Sequence, residues 1–366
     1  MNHFASIGYT LVFMAMVIYV GVRCYRILPW SRRIRVSLTA LYGTAVLAYM
    51  LSMTGAVDIL PMSVASVTYI FGNSWMIFFF YALIIFVLME LLRLMDILPG
   101  RYMIHSAVGS AVVFSIIIAV MIWGAIQYRH KYREEITVTT AKIESPLKIV
   151  LMSDLHIGYH NRRATLARWV DMINGENPDL ILIAGDIIDR STRAIVADGD
   201  AAEFRRLKAP VYACLGNHEY YAGVEKSIEF YKDAGIHLLQ DSSAMVCGIT
   251  VIGRDDASDS LRCRPYLLAR KTNPNTYRIM LDHRPDTLSE ACLAKVDFQF
   301  SGHTHGGQIW PFSLLLKVEN ELSYGYMEKG DTRFYVTSGL GIWGGRFRIG
   351  TRSEYLVLYL KPEEES

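Results

Sequence analysis

The stretch Phe298–Gln308 reads FQFSGHTHGGQ, and its residue types suit metal chemistry. An apolar run enters it, and Gly302, Gly306 and Gly307 let the backbone turn sharply around His303 and His305. Histidines at i and i+2 in extended backbone point to the same side, so the spacing predicts that both imidazoles face one point. An isolated H-x-H is as easily two exposed loop histidines. Here four further clusters carry matching donors: Asp154 with His156 in SDLHIG, Asp186 with Asp189 in GDIID, Asn217 with His218 in GNHE, and His283 in LDHRPD. Singly, each has an ordinary account. Asp154 and Asp189 suit helix caps, Asn217 a turn, and His283 a hydrogen-bonded histidine. Together they offer carboxylate, amide oxygen and imidazole with no thiol, a set that suits Mn, Fe or Zn and argues against a structural zinc. Seven or more donors over-supply one ion and suit two that share a bridging carboxylate. Two metals about 4 Å apart can activate a bridging water and stabilise the attacking and leaving oxygens of a phosphoryl transfer.

The elements that must position these donors are short strands alternating with helices. Leu147–Ser153, Leu180–Ala184 and Val211–Leu215 read as strands. Ala164–Asn174, Ala201–Leu207 and Val224–Ala234 read as helices between and after them. Beyond Ile236 strands dominate: Met245–Gly253, Tyr277–Leu281, Phe298–Phe300, Phe334–Thr337 and Tyr355–Leu360. This alternation indicates an α/β domain whose central strands are buried on both faces. Every donor cluster follows the end of a strand, which is where open α/β sheets bind ligands.

The five motifs, in this order, resemble those of the calcineurin-like metallophosphoesterases, over about Leu147 to Leu360. The ending GHTHGGQ, with SGLGIWGGRFRIG near the C-terminus, is similar to the membrane-anchored bacterial branch of that family. The resemblance implies two mixed sheets sandwiched between helices. It also implies two divalent ions. Asp154, His156 and His305 would hold the first, and Asn217, His283 and His303 the second, with Asp186 bridging. His218 would protonate the leaving oxygen. Asp189 fits the motif either as an orienting partner of a ligand or as a helix cap. Glu219 stands where many relatives have Asp, which leaves the ligand set intact.

Two features lie outside the motifs. Arg162 and Arg163 are candidates to hold a substrate phosphate, since guanidinium suits bidentate contacts; the alternative is a solvated helix start. The run Trp310–Leu316 (WPFSLLL) follows the last motif. An apolar loop beside an active site can lie against a bilayer and guide a lipid, or simply pack.

The first third of the chain is different in kind. The 366 residues are 52% hydrophobic, with a mean hydropathy of +0.23. That excess is concentrated in Phe4–Val22, Val36–Val57, Ile59–Met89 and Tyr102–Tyr128, which lack Asp, Glu, Lys and Arg. Each exceeds or matches the ~20 apolar residues of a transmembrane helix. They predict spans at about 4–22, 36–57, 73–92 and 102–128, with Pro61–Gly72 as an external turn. The polar segment 129–146 reads as a linker to a catalytic domain at 147–362. Within the spans only His105 and Glu90 are ionisable, so the bundle reads as an anchor or a lipid-presenting platform rather than a transport path. Arg23, Arg26, Arg32, Arg33 and Arg35 in the first connection, and Arg93 and Arg101 in the third, place those connections in the cytoplasm. The C-terminal domain then faces outward. Arg129, Lys131 and Arg133 argue the other way, but they are fewer and precede a long domain.

A net charge of +2 leaves no nucleic-acid footprint, and five scattered cysteines form no zinc or disulfide framework. The expectation is an integral, multi-pass protein of a bacterial inner membrane. It would be a two-metal phosphohydrolase acting on a lipid or lipid-linked phosphoester or pyrophosphate, its partners being the bilayer and that substrate. The alternatives are a cytoplasmic-facing hydrolase of a nucleotide-linked lipid, and a membrane sensor that binds a phosphorylated ligand without turnover.

Overall fold

A computed structural model describes residues 3–363. Its contacts divide the chain into Met1–Ala125 and Ile126–Ser366. Among the described residues four helices are long and apolar enough to cross a membrane: α1 (His3–Ile27), α2 (Arg32–Met53), α3 (Met62–Leu94) and α4 (Ala107–Arg129), the last ending just inside the second unit.

Helix α3 corrects one expectation. Residues 62–72 are not an external turn but the first three turns of a 33-residue helix, roughly 50 Å long. Pro61 stands just before the helix, where its missing N–H costs nothing. Gly72, taken for a turn residue, is instead a close-packing position. A Cβ there would lie 2.4 Å from Tyr49 N, so glycine lets α2 and α3 approach. The two ionisable groups expected within spans have partners in this unit. Glu90 pairs with the buried Arg23 at 3.0 Å, and His105 Nδ1 lies 3.1 Å from the Leu28 carbonyl.

The second unit holds twelve strands in two sheets among the described residues. They are β1 (Lys131–Thr140), β2 (Leu147–Met152), β3 (Leu180–Ala184), β4 (Val211–Cys214), β5 (His237–Leu238), β6 (Ser242–Val246), β7 (Ile249–Gly253), β8 (Arg278–Leu281), β9 (Phe298–Ser301), β10 (Gly325–Lys329), β11 (Thr332–Val336) and β12 (Ser353–Pro362). One sheet runs β1-β12-β2-β3-β4-β5 and the other β10-β11-β9-β8-β7-β6. Both are mixed. In the first only β12 with β2 is antiparallel, and in the second only the outer pairs β10 with β11 and β6 with β7 are. Helices α5 (Arg163–Gly175), α6 (Thr192–Asp198), α7 (Asp200–Phe204), α8 (Asn217–Ala222) and α9 (Val224–Asp233) occupy connections of the first sheet. Helices α10 (Pro265–Ala269), α11 (Leu288–Leu293) and α12 (Phe312–Glu319) occupy those of the second.

Strand periodicity explains the layering. In β2, Ile149 and Leu151 enter a core shared with Ile279, Leu281, Phe298 and Phe300 of the other sheet. Val150 and Met152 face Leu166, Trp169 and Ile173 of α5. In β3, Leu180 and Leu182 go one way and Ile181 and Ile183 the other. Period-two side chains on a doubly covered strand must all be apolar, which is the IVLM run of Ile149–Met152 and the LILIA of β3, with Lys148 at the partly exposed start of β2. The far face of the second sheet packs Ile252 and Met280 against Leu268, Leu288 and Ala291.

Two further expectations are corrected. The linker 129–146 is mostly strand: β1 pairs in parallel with β12 over ten residues, Lys131 with Ser353 through Thr140 with Pro362. The charge of KYREE suggested a connector, but alternating β-branched residues at Ile136 and Val138 supply a strand's inward face. The stretch Met245–Gly253 is two strands. Cys247 (φ 50°) and Gly248 (φ 77°) form a two-residue turn with both residues left-handed, the geometry that joins β6 to β7 as a hairpin.

Candidate metal centre

Five site residues leave the sheets in a conformation that L-residues rarely adopt. Asp154, His156, Asp186, His303 and His305 all have positive φ, between 45° and 69°. Such backbone costs about 1–3 kcal/mol per residue and persists only where the surroundings over-determine it. Here they do. Asp154 N–H donates to the Gly185 carbonyl at 3.2 Å, His156 N–H to the Asp186 carbonyl at 3.0 Å, and Gly341 N–H to the Asp154 carbonyl at 2.9 Å. Two glycines let the carboxylates come close. A Cβ on Gly302 would lie 2.2 Å from Asp154 Oδ2, and one on Gly216 would lie 2.2 Å from Asp186 Oδ1.

The loops bring the donors of distant motifs together. His305 Nε2 lies 3.2 Å from His156 Nε2 and 3.4 Å from Asp154 Oδ1. Asp186 Oδ2 stands 3.7 Å from His156 Nε2 and 3.2 Å from His283 Nε2. Ligand atoms of Asp154, His156 and His305 all lie within 4.8 Å of one another, as do those of Asp154, Asp186 and His283. The ring of His303 is 5.2 Å from that of His283. Thus the two histidines of the H-x-H stretch do not face one point. Left-handed backbone at both, with Thr304 in a helical turn between them, replaces the extended geometry that the spacing suggested. His305 joins Asp154 and His156, and His303 joins His283. Asp186 lies between the two groups.

The donor set fits divalent cations. The His283 Nδ1–H donates to the Ala184 carbonyl at 2.7 Å, so its lone pair in the neutral ring is on Nε2. That Nε2 faces the Asp186 carboxylate at 3.2 Å, the Asn217 Oδ1 is buried without a hydrogen-bond partner, and both are good ligand atoms for a borderline metal. Charge is concentrated here as well. Burial would raise the Asp154 and Asp186 carboxyls, but neighbouring histidines hold both well below the usual range. Burial would lower the His156 and His283 imidazoles, but their carboxylate neighbours outweigh it and push both up to about 10. His303, by burial first and then by the charge of His283, is held down to about 4. His305 is held well below its usual value, chiefly by burial.

His218 sits beside this cluster and is only partly buried. Its backbone N–H donates to Asp186 Oδ1 at 2.9 Å. Its Nδ1–H donates to the Asp189 carbonyl at 2.5 Å, which leaves Nε2 as the atom able to exchange a proton. Asp189 is not a simple cap: its carboxylate lies 3.5 Å from His156 Nδ1, 3.7 Å from His160 Nδ1 and 3.6 Å from His218 Nδ1. One carboxylate therefore stands within ion-pair distance of three imidazoles.

Arg162 and Arg163 do not join the site. Arg162 forks onto Asp198 through Nε and Nη2. Arg163 Nε donates to Glu203 at 2.9 Å. Both guanidiniums tie α5 to α6 and α7, so the expected phosphate contact is replaced by ion pairs within the fold.

Three residues support the loops in ways the motifs do not show, and Glu219 among them reads in the sequence only as a departure from the usual Asp. Glu219 accepts N–H groups from Gly216, Asp186 and Ile188 at 2.8, 3.0 and 3.0 Å, joining the GDIID and GNHE loops. Arg348, fully buried, donates to the carbonyls of His305 at 2.8 Å, Gly341 at 2.9 Å and Ser338. His160 Nε2–H donates to the Ile342 carbonyl at 2.6 Å. His160 lies only four residues after His156, and Arg348 lies in the GGRFRIG run. Nothing local in either stretch says where its partner is.

Fold and site define a two-sheet α/β sandwich with an Asp/His/Asn cluster at its strand ends. Residues 147–307 match the family model described as calcineurin-like phosphoesterase, and the chain carries a calcineurin-like phosphoesterase domain. It is 32% identical over 238 residues to an uncharacterized metallophosphoesterase of Campylobacter jejuni, covering 63% of each chain. It is 31% identical over 241 residues to one of Helicobacter pylori, covering 64% of this chain and 65% of that one. A transmembrane protein with metallophosphoesterase domain from Danio rerio is 32% identical over 232 residues, 59% of this chain and 53% of that relative. The match thus spans less than two thirds of the length of each relative.

Proposed function

We propose that the protein is a membrane-anchored, metal-dependent phosphohydrolase. It would hold two divalent ions drawn from Mn, Fe and Zn, and act on a lipid or lipid-linked phosphoester or pyrophosphate at the membrane surface. In this reading Asp154, His156 and His305 hold one ion, Asn217, His283 and His303 the other, and Asp186 bridges. The observation that carries it is the Asp186 carboxylate, set 3.7 Å from His156 and 3.2 Å from His283 with donors on both sides. Bound ions supply Lewis-acid stabilisation of phosphoryl oxygens and lower the pKa of an attacking water. His218, held by its Nδ1–H on the Asp189 carbonyl, keeps Nε2 for protonating the leaving oxygen. Four membrane-crossing helices are more than a tether requires, which favours a substrate drawn from the bilayer. The arginine bias of the connections favours the outer face of a bacterial inner membrane.

The test is release of phosphate or headgroup from a total membrane lipid extract by detergent-solubilised full-length protein with Mn²⁺, against Asp186→Ala. Release by the wild type alone supports the proposal, and the product names the bond. Equal release by both proteins refutes it. Wild-type activity on a chromogenic phosphodiester alone keeps the hydrolase and removes the lipid substrate.

A further inference from the structure

Helix α12 is built the wrong way round for a globular domain. A surface helix ordinarily turns its apolar stripe inward, yet α12 has no buried residue. Leu314 is 53% exposed, Leu315 59% and Val318 87%. These three span about 100° of the helix, and Lys317 lies about 160° round from Leu315. Trp310, two residues before the helix, and Trp343, whose carbonyl accepts from Gln308, are also exposed. The run therefore does not pack into the core.

The helix is attached to the metal centre at both ends. Its first turn lies on the H-x-H loop, where a Cβ on Gly307 would be 2.4 Å from Ser313 N. Gln308 Nε2 donates to the Trp343 carbonyl at 3.1 Å. After the helix, the Ser323 carbonyl accepts from Thr304 Oγ1, between the two histidines, at 2.7 Å. The exposed apolar face is thus an excursion of the loop that carries His303 and His305.

The occupant is set by the rest of the chain. Only His130 separates α4, the fourth helix long and apolar enough to cross a membrane, from β1, so one residue links the domain to that helix. The end of α4 is also bonded into the domain: Tyr128 donates to Asn161 Oδ1 at 2.5 Å, and Asn161 Nδ2 donates to the His156 carbonyl at 3.2 Å. A bilayer is the apolar phase always present beside such a domain. Exposed tryptophans beside a short apolar helix whose lysine lies away from Leu315, at the polar margin, are the pattern of an element seated in a membrane interface.

We propose that α12, with Trp310 and Trp343, enters the headgroup–acyl boundary beside the metal centre. The substrate then reaches the centre from the lipid phase, as an amphiphile whose phosphoester lies at headgroup depth. The substrate part rests on the phosphohydrolase reading; the seating of α12 does not.

The test uses the full chain reconstituted in phosphatidylcholine–phosphatidylglycerol vesicles, with an environment-sensitive fluorophore on Leu315→Cys or, as the opposite-face control, on Lys317→Cys. Labelling of the native cysteines is subtracted using the unsubstituted protein. A lipid-borne nitroxide should quench the 315 label at least twofold more than the 317 label, about what burial at shallow interfacial depth implies. Equal access of an aqueous quencher to both labels overturns the proposal. So does shielding of the 315 label that depends on protein concentration in detergent, which would put a second copy of the chain on this face. The variant L314Q/L315Q/V318Q should slow release from vesicle-borne lipid at least about tenfold, as loss of three buried apolar side chains implies. It should leave a water-soluble chromogenic phosphodiester within about twofold, since no metal donor is changed. Equal loss on both substrates shows a packing role and overturns the proposal. If the wild type releases nothing from lipid, the lipid reading of the function fails, and the quenching result still decides where α12 sits.

Discussion

Glu219 is the sharpest place to test the site's construction. Its buried carboxylate is the acceptor for three backbone N–H groups, of Gly216, Asp186 and Ile188, and thereby sets the loop that presents Asp186. Replacing it by Ala leaves three buried donors without an acceptor. At about 1–3 kcal/mol each, with partial relaxation between neighbours, the loss is about 3–6 kcal/mol. For a domain of this size that lowers the apparent Tm by roughly 6–24 °C. Glu219→Gln keeps one oxygen, which can still serve the two donors of Oε2, and turns its NH₂ toward the third. The loss is then about 1–3 kcal/mol. Because Asp186 is positioned through this clamp, metal affinity should fall about 10- to 100-fold in the Gln variant. Thermal unfolding of the full chain in one detergent, with a chelator-competition titration, reads both quantities. The expected order is wild type, then Gln, then Ala. An Ala variant with wild-type Tm and wild-type metal affinity would refute the clamp.

Other expectations follow from the same geometry. His218→Asn should keep its metal content and lose about 10²- to 10⁴-fold in turnover, measured by elemental analysis beside a hydrolysis assay; unchanged turnover would remove the proton-transfer role. His156 and His283 are pushed up to about 10, whereas their unfolded value is near 6.5. In chelator-stripped protein their protonation therefore stabilises the fold below that unfolded value, and the contribution is lost as pH rises through about 10. A metal must displace these protons, so affinity should rise about 10- to 100-fold per pH unit between pH 7 and 9. Calorimetry in buffers of different ionisation enthalpy counts the protons, and finding none released would contradict the assignment. Arg162→Ala should cost about 0–1 kcal/mol, since its ion pair with Asp198 is partly exposed, and should leave KM for a phosphoester unchanged. A large rise in KM would return Arg162 to the substrate site.

What the sequence determined is the chemistry and the class of scaffold. Carboxylate, amide and imidazole donors recur at strand ends, and because strands buried on both faces must be continuously apolar, as IVLM and LILIA are, those ends stand out. Helices long and apolar enough to cross a membrane were equally legible, since about 20 apolar residues in a row have few other uses. Local periodicity was less decisive where charge masked it, as in β1, or where a two-residue turn interrupted an apolar run, as at Cys247–Gly248. The tertiary structure alone decided which donor meets which. The H-x-H spacing suggested one shared point, but left-handed backbone at His303 and His305 sends them to different neighbours. Only the fold showed that Arg162 and Arg163 are held by Asp198 and Glu203. It likewise revealed that Glu219 and Arg348 hold the loops, and that α12 turns its leucines outward. Each of these depends on residues tens to hundreds of positions apart in the chain, and spacing along a sequence carries no information about such distances until the sheets have closed over their core.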